Sequence, residues 1–252
     1  MANPTAGMLI IGDEILSGRT RDSNGAYLAR RLTETGIDLR EIRVVPDVEA
    51  EIVAALDALR HRYDHVFTSG GIGPTHDDIT ADAVAKAFGV GIDVREDARA
   101  LLASNYRNPE MELNAARLRM ARIPDGARLI DNPVSKAPGF TIGNVHVMAG
   151  VPAVFEAMVE SVLPQLTGGT PLKSLSLRVF VPEGEVAGPL AEIAAGAPDV
   201  AIGSYPFQRD GRFGCSIVLR SPDPDRLEAV AEKLRAVLKR LGAGEIAESR
   251  SG

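Results

Sequence analysis

Ser69-Gly70-Gly71-Ile72-Gly73-Pro74-Thr75-His76-Asp77-Asp78-Ile79-Thr80 decides the reading of this chain. It follows the apolar run His65 to Ser69 and precedes Thr80 to Phe88, whose apolar residues recur at helical spacing before Gly89. Three glycines let the backbone turn sharply and approach a ligand without Cβ obstruction. Amides at the start of the following helix would offer donors and partial positive charge to an anion. The stretch is not a P-loop, since no Gly-Lys-Ser/Thr follows, and it lacks GxGxxG spacing. An ordinary helix start capped by Asp78 or Thr80 would use the same residues. The adjacent Asp77 and Asp78 would repel a phosphate unless a divalent cation such as Mg²⁺ lay between, which makes both candidate metal ligands and catalytic residues.

Upstream, Met8 to Ile11 reads as a buried strand and Asn24 to Thr35 as a helix. Ile37 to Val45 and Val48 to Arg62 repeat the pair. Alternating strands and helices imply a mostly parallel sheet with helices on both faces, a three-layer α/β sandwich. Ligands bind at carboxyl ends of strands in such folds. Three groups reach that edge: Gly12-Asp13-Glu14, Asp22-Ser23-Asn24, and Asp47, which by itself suits a cap for the helix from Val48. Helical pieces follow near Glu96 to Asn105 and Asn114 to Met120. Strands follow at Ala127 to Ile130, Phe140 to Ile142 and Val145 to Met148, then a helix over Ala153 to Leu166.

Leu166-Thr167-Gly168-Gly169-Thr170-Pro171 reads as a linker. Residues 1–168 then form the larger domain and 172–242 a small α+β domain, with 243–252 a flexible tail.

Composition excludes several classes. The formal net charge of -6 argues against a general nucleic-acid surface. One cysteine, Cys215, allows no internal disulfide, and its apolar neighbours suit a buried strand position. Four scattered histidines show no metal-binding spacing; His76, beside the acids, is a candidate acid or base, and His146 reads as structural. Neither a signal peptide nor a span of the roughly 20 apolar residues that cross a bilayer is visible, so a cytoplasmic protein without membrane partners is expected. Arg117, Arg119, Arg122, Arg128 and Lys136 form a local cationic excess suited to a polyphosphate or to a solvated face.

Gly12-Asp13-Glu14-Ile15-Leu16-Ser17-Gly18, Asp22-Ser23-Asn24, Val45-Pro46-Asp47, the 70–80 turn and Ala137-Pro138-Gly139-Phe140 occur in an order that resembles the molybdopterin-binding domain of the competence/damage-inducible CinA family. A similar domain precedes the synthase part of some FAD synthases. The resemblance implies the sheet fold of MogA, MoaB and MoeA, and a homo-oligomer. It implies that a phosphorylated ligand, molybdopterin or a nucleotide, is held by residues among Gly12, Asp13, Glu14, Asn24, Asp47, Gly70, Gly71, Gly73, Pro74, Thr75, Asp78, Thr80, Pro138 and Gly139. Metal-dependent cleavage of ADP-ribose in CinA relatives, and adenylyl transfer onto molybdopterin in MogA-like ones, are the activities it suggests. Many relatives read Pro-Gly-Val-Pro where Ala149-Gly150-Val151-Pro152 stands here. The chain resembles a stand-alone form without the amidohydrolase-like domain of full-length CinA, so deamidation of nicotinamide mononucleotide is not expected.

Overall fold

A computed structural model describes residues 2–251, which divide into two units between Gly169 and Thr170. In the first, the chain runs β1 (Thr5–Ile11), α1 (Asp13–Leu16), α2 (Asn24–Thr35), β2 (Asp38–Val45), α3 (Glu49–Arg60), β3 (His65–Ser69) and α4 (Thr80–Phe88). After β4 (Ile92–Val94) come α5 (Glu96–Ala103), α6 (Pro109–Glu112), α7 (Ala115–Leu118) and β5 (Arg122–Pro124). The unit ends with β6 (Arg128–Ile130), β7 (Gly139–Ile142), β8 (Val145–Met148) and α8 (Pro152–Val162).

Six of these strands form one sheet in the order β2-β1-β3-β8-β7-β6. The β1–β2, β1–β3 and β3–β8 pairs are parallel, while β6–β7 and β7–β8 are antiparallel. The expected three-layer sandwich is present. Its cause is visible in β1, where every side chain from Ala6 to Ile11 is buried. Leu9 and Ile11 enter one core with Ile52, Leu56 and Leu59 of α3 and Val84 of α4. Met8 and Ile10 enter the opposite core with Leu28 and Leu32 of α2 and Phe155, Met158 and Val159 of α8. Alternate side chains leave opposite faces of a strand, so a strand covered by helices on both faces must be apolar throughout.

The second unit runs β9 (Lys173–Val179), α9 (Glu183–Ala195), β10 (Ala201–Arg209), β11 (Arg212–Ser221), α10 (Pro224–Arg240) and β12 (Ala247–Ser251). Its sheet has the order β10-β11-β9-β12 and is antiparallel. Leu177, Cys215, Ile217 and Leu219 are buried in one core with Val230, Leu234 and Leu238 of α10. The segment expected as a flexible tail is corrected by β12, which pairs along β9 from Ala247↔Arg178 to Ser251↔Ser174. Edge β9 offers unpaired backbone groups, and Glu248 and Arg250 add ion pairs with Arg235 and Glu228. Among the described residues no helix is long and apolar enough to cross a membrane.

Candidate functional site

Three strand ends and one turn build the site. After β3, Gly70 takes φ 109 and passes so close to β1 that a Cβ would overlap the Ile11 carbonyl oxygen. Gly71 follows at φ 68, and a Cβ there would overlap the Thr80 hydroxyl. Positive φ and contact with backbone on one side both select glycine. Thr80 closes the turn: its amide donates to Gly71 O (3.0 Å) and its hydroxyl to Gly70 O (3.0 Å). The helix-start amide expected to face an anion is therefore already used at Thr80.

Donors remain one step earlier. Among the described residues the amides of Gly71, Ile72 and Gly73 meet no protein acceptor. They belong to the wall of a cleft of about 510 Å³. Glu14 and Thr20 line it from the β1 side; Asn132, Ser135 and Ala137 from the loop before β7; Gly150 to Pro152 from the turn into α8.

The acidic residues divide. The Asp78 carboxylate folds back on its own turn, accepting from the Thr75 amide (2.8 Å) and the Thr75 hydroxyl. Thr75 is thus occupied by Asp78, and Gly73 is tight, since a Cβ would stand 2.6 Å from Asp78 Oδ2. Asp47 does not cap α3, whose first residue is preceded by Val48 without a side-chain cap. Its Oδ2 instead accepts the Asp13 amide (3.0 Å), tying the end of β2 to the end of β1. Burial raises the Asp47 pKa, and repulsion from Asp13, Glu14 and Asp77 adds to the rise, against the lowering effect of the Asp13 amide. Asp77 is exposed. Among the described residues no group of three or more His, Cys, Asp or Glu side chains is placed to hold a metal.

Other expected residues fall into supporting positions. Asn24 is buried and donates through Nδ2 to the Ser69 hydroxyl and to Gly150 O, both at 2.8 Å, while its Oδ1 has no partner. Asp22 serves the start of α2, accepting from the Asn24 and Gly25 amides. Gly12 bonds to Val45 O and is buried. Gly139 is buried in β7 against Val147 O. Pro138 shares a small crevice with Gly73, Asp78 and Arg119. Pro74 lines the main cleft. His76 is nearly fully exposed, and His146 lies in the sheet, in contact with the Thr141 hydroxyl.

Arg119 is the addition that charge counting alone could not isolate. Its Nη2 donates to Asp78 O (3.0 Å), while its buried Nε has no partner. The other cations nearby are committed: Arg122 grips Asp82 with two 2.7 Å bonds, and Arg117 donates to Glu112 O. Asn132, followed by Pro133, lies in the loop between β6 and β7. It braces the cleft wall by accepting from the Val134 and Ser135 amides and donating to Ser135 Oγ and Ala137 O.

Comparisons with known proteins show the family. The family model described as "Probable molybdopterin binding domain" matches residues 7–168, and that described as "FAD synthase, middle domain" matches residues 171–243. A protein of Pyrobaculum calidifontis is 39% identical over 250 residues, covering 94% of each chain. A CinA-like protein of Citrifermentans bemidjiense is 40% identical over 166 residues, which is 64% of this chain and 40% of that one. A crystal structure of CinA, of unknown function, from Thermoplasma acidophilum has 36% identity and a TM-score of 0.61, covering 66% of this chain and 99% of that one. The chain belongs to the CinA family of proteins with a molybdopterin-binding domain.

Proposed function

We propose that the N-terminal unit binds a phosphorylated pterin or nucleotide in the cleft beside the 70–80 turn. The observation that carries this reading is the run of three turn amides, Gly71 to Gly73, without protein acceptors on the cleft wall. Successive free amides form a concavity suited to an anion. Arg119, with its unpartnered Nε beside Asp78, adds positive charge at the same end. The residues fit a phosphate group: glycine lets the oxygens approach, and the nearest carboxylate, Asp78, is turned into Thr75. The cleft volume suits a ligand of mononucleotide or pterin size. Isothermal titration with neopterin monophosphate and with ADP-ribose tests this. Binding should weaken at least tenfold in Gly73→Ala, which adds one methyl without requiring positive φ. Equal affinity in that variant would remove the turn from the site.

A second reading, metal-dependent hydrolysis of a pyrophosphate such as ADP-ribose, draws support from the carboxylates whose repulsion acts on Asp47. Among the described residues no three acidic side chains are placed to hold a cation alone, so a divalent cation would arrive with the pyrophosphate, relieve that repulsion and supply a Lewis acid for the phosphates. Incubation with ADP-ribose and Mg²⁺ or Mn²⁺ should release AMP in the parent and not in Asp47→Asn. No AMP from the parent protein ends this reading and leaves the binding reading untouched.

A further inference from the structure

We propose that the C-terminal unit carries a second ligand site, for a nucleoside diphosphate, on the face of its sheet turned away from α9 and α10. Cys215, Ile217 and Leu219 of β11 point into the helix-covered core. Gly214 and Ser216 therefore point to the other face, and with them their cross-strand partners Phe207 and Arg178. The facing pair Arg209↔Arg212 lies on this side too, at the mouth of a hairpin whose tip, Asp210-Gly211, has φ 52 and 73.

Arg178, Phe207, Arg209 and Arg212 line a cleft of about 600 Å³ with Phe180. The Phe180 and Phe207 rings meet edge to face, 5.5 Å between centroids. The Arg212 guanidinium lies 4.2 Å over Phe180, and that of Arg178 lies 5.5 Å from the centre of Phe207. Stacking on an aromatic face uses the plane of a guanidinium and leaves its N–H fork free for phosphate oxygens. Among the described residues neither Arg178 nor Arg212 forms an ion pair, in contrast to Arg226, Arg235 and Arg250 of the same unit. Arg209 adds a third charge; its contact with Asp210, at 3.6 Å, is exposed and weak. Glu245 is the acidic residue of the lining.

Unpaired arginines beside exposed aromatic surface match a ligand with phosphates at one end and a planar ring at the other. A nucleoside diphosphate has both, and its ribose hydroxyls suit Glu245 as acceptor. The enclosed volume matches one such molecule rather than an extended strand, and the chain's net charge of -6 opposes a long polyanion. The site does not depend on the N-terminal cleft.

Photolabelling of the full chain with 8-azido-ADP, followed by peptide mapping, tests the proposal. Label should appear within residues 173–182 or 205–214, be displaced by ADP and not by equimolar adenosine. It should fall at least tenfold in Arg178→Ala/Arg212→Ala, with circular dichroism unchanged. Should that double variant unfold, Arg178→Lys/Arg212→Lys keeps the charge, loses the fork, and should still weaken labelling. Label confined to residues 69–82 or 119–154 overturns the proposal, as does label insensitive to both variants. Displacement by a decamer RNA far below the ADP concentration, or a change in sedimentation of the double variant, would replace the ligand with nucleic acid or a second copy of the chain.

Discussion

Asn24 and Gly150 stand 126 positions apart, yet the Asn24 side-chain amide donates a 2.8 Å hydrogen bond to the Gly150 carbonyl. Its other proton goes to the Ser69 hydroxyl. One buried side chain thus joins the start of α2, the end of β3 and the turn into α8, the three elements that frame the cleft. Asn24→Ala leaves the buried Ser69 hydroxyl and the more open Gly150 carbonyl without this donor and should cost about 1–3 kcal/mol in urea unfolding. Asn24→Asp puts anionic oxygen against a carbonyl and should cost more.

Asp78 separates a structural from a metal-binding role. If its carboxylate serves the Thr75 amide, as the geometry has it, Asp78→Asn keeps an acceptor there. Asp78→Asn should then lose less than about 1 kcal/mol, and Asp78→Ala about 1–3 kcal/mol, because a bond to a charged acceptor disappears. Equal losses in both variants, measured by thermal unfolding at pH 7, would contradict this.

Asp47 is an acid whose folded pKa lies above its ordinary value, mainly through burial. The native state then holds its proton more tightly than the unfolded chain. That contribution is present below the ordinary carboxylate range and is lost as pH rises through the folded value. Asp47→Asn should therefore raise Tm by a few degrees at pH 7, with the gain shrinking as pH falls through the raised folded value and gone below about 4. A Tm difference independent of pH would show that Asp47 charge does not load the fold.

His146 gives the opposite limb. Burial, aided by His65 and Arg128, lowers its pKa to about 3. The unfolded chain takes up this proton from about pH 6.5 downward and the native state does not. Stability should then fall by about 1.4 kcal/mol per pH unit between roughly pH 6 and 3 from this group. His146→Gln, which can still pair with Thr141 Oγ1, should flatten that limb in urea unfolding at pH 4 to 6. An unchanged slope would place the acid sensitivity elsewhere.

The sequence carried most of the frame because its signals are local. A continuous apolar β1 and glycine-stopped α2 and α4 need only nearest neighbours to be read, and Gly36 and Gly89 do sit in the left-handed conformation. Long-range pairing was not legible in the same way. β12 exists because β9 has a free edge, a property of the sheet rather than of Ala247–Ser251. Asp47 looked like a helix cap because Val48 follows it, but the Asp13 amide, 34 positions away, holds it. Arg119 was one cation among five until packing left its Nε alone. Gly139 shares a motif with the cleft loop, yet its small size serves the contact with Val147.

The amides of Gly71 and Gly73 report on the cleft without passing through catalysis or stability. Their ¹H–¹⁵N resonances, followed during titration with neopterin monophosphate or ADP-ribose, should move downfield in proportion to occupancy as phosphate oxygens accept from them. Saturable binding that leaves both resonances in place would show that the ligand sits elsewhere, and the turn would then be only the link between β3 and α4.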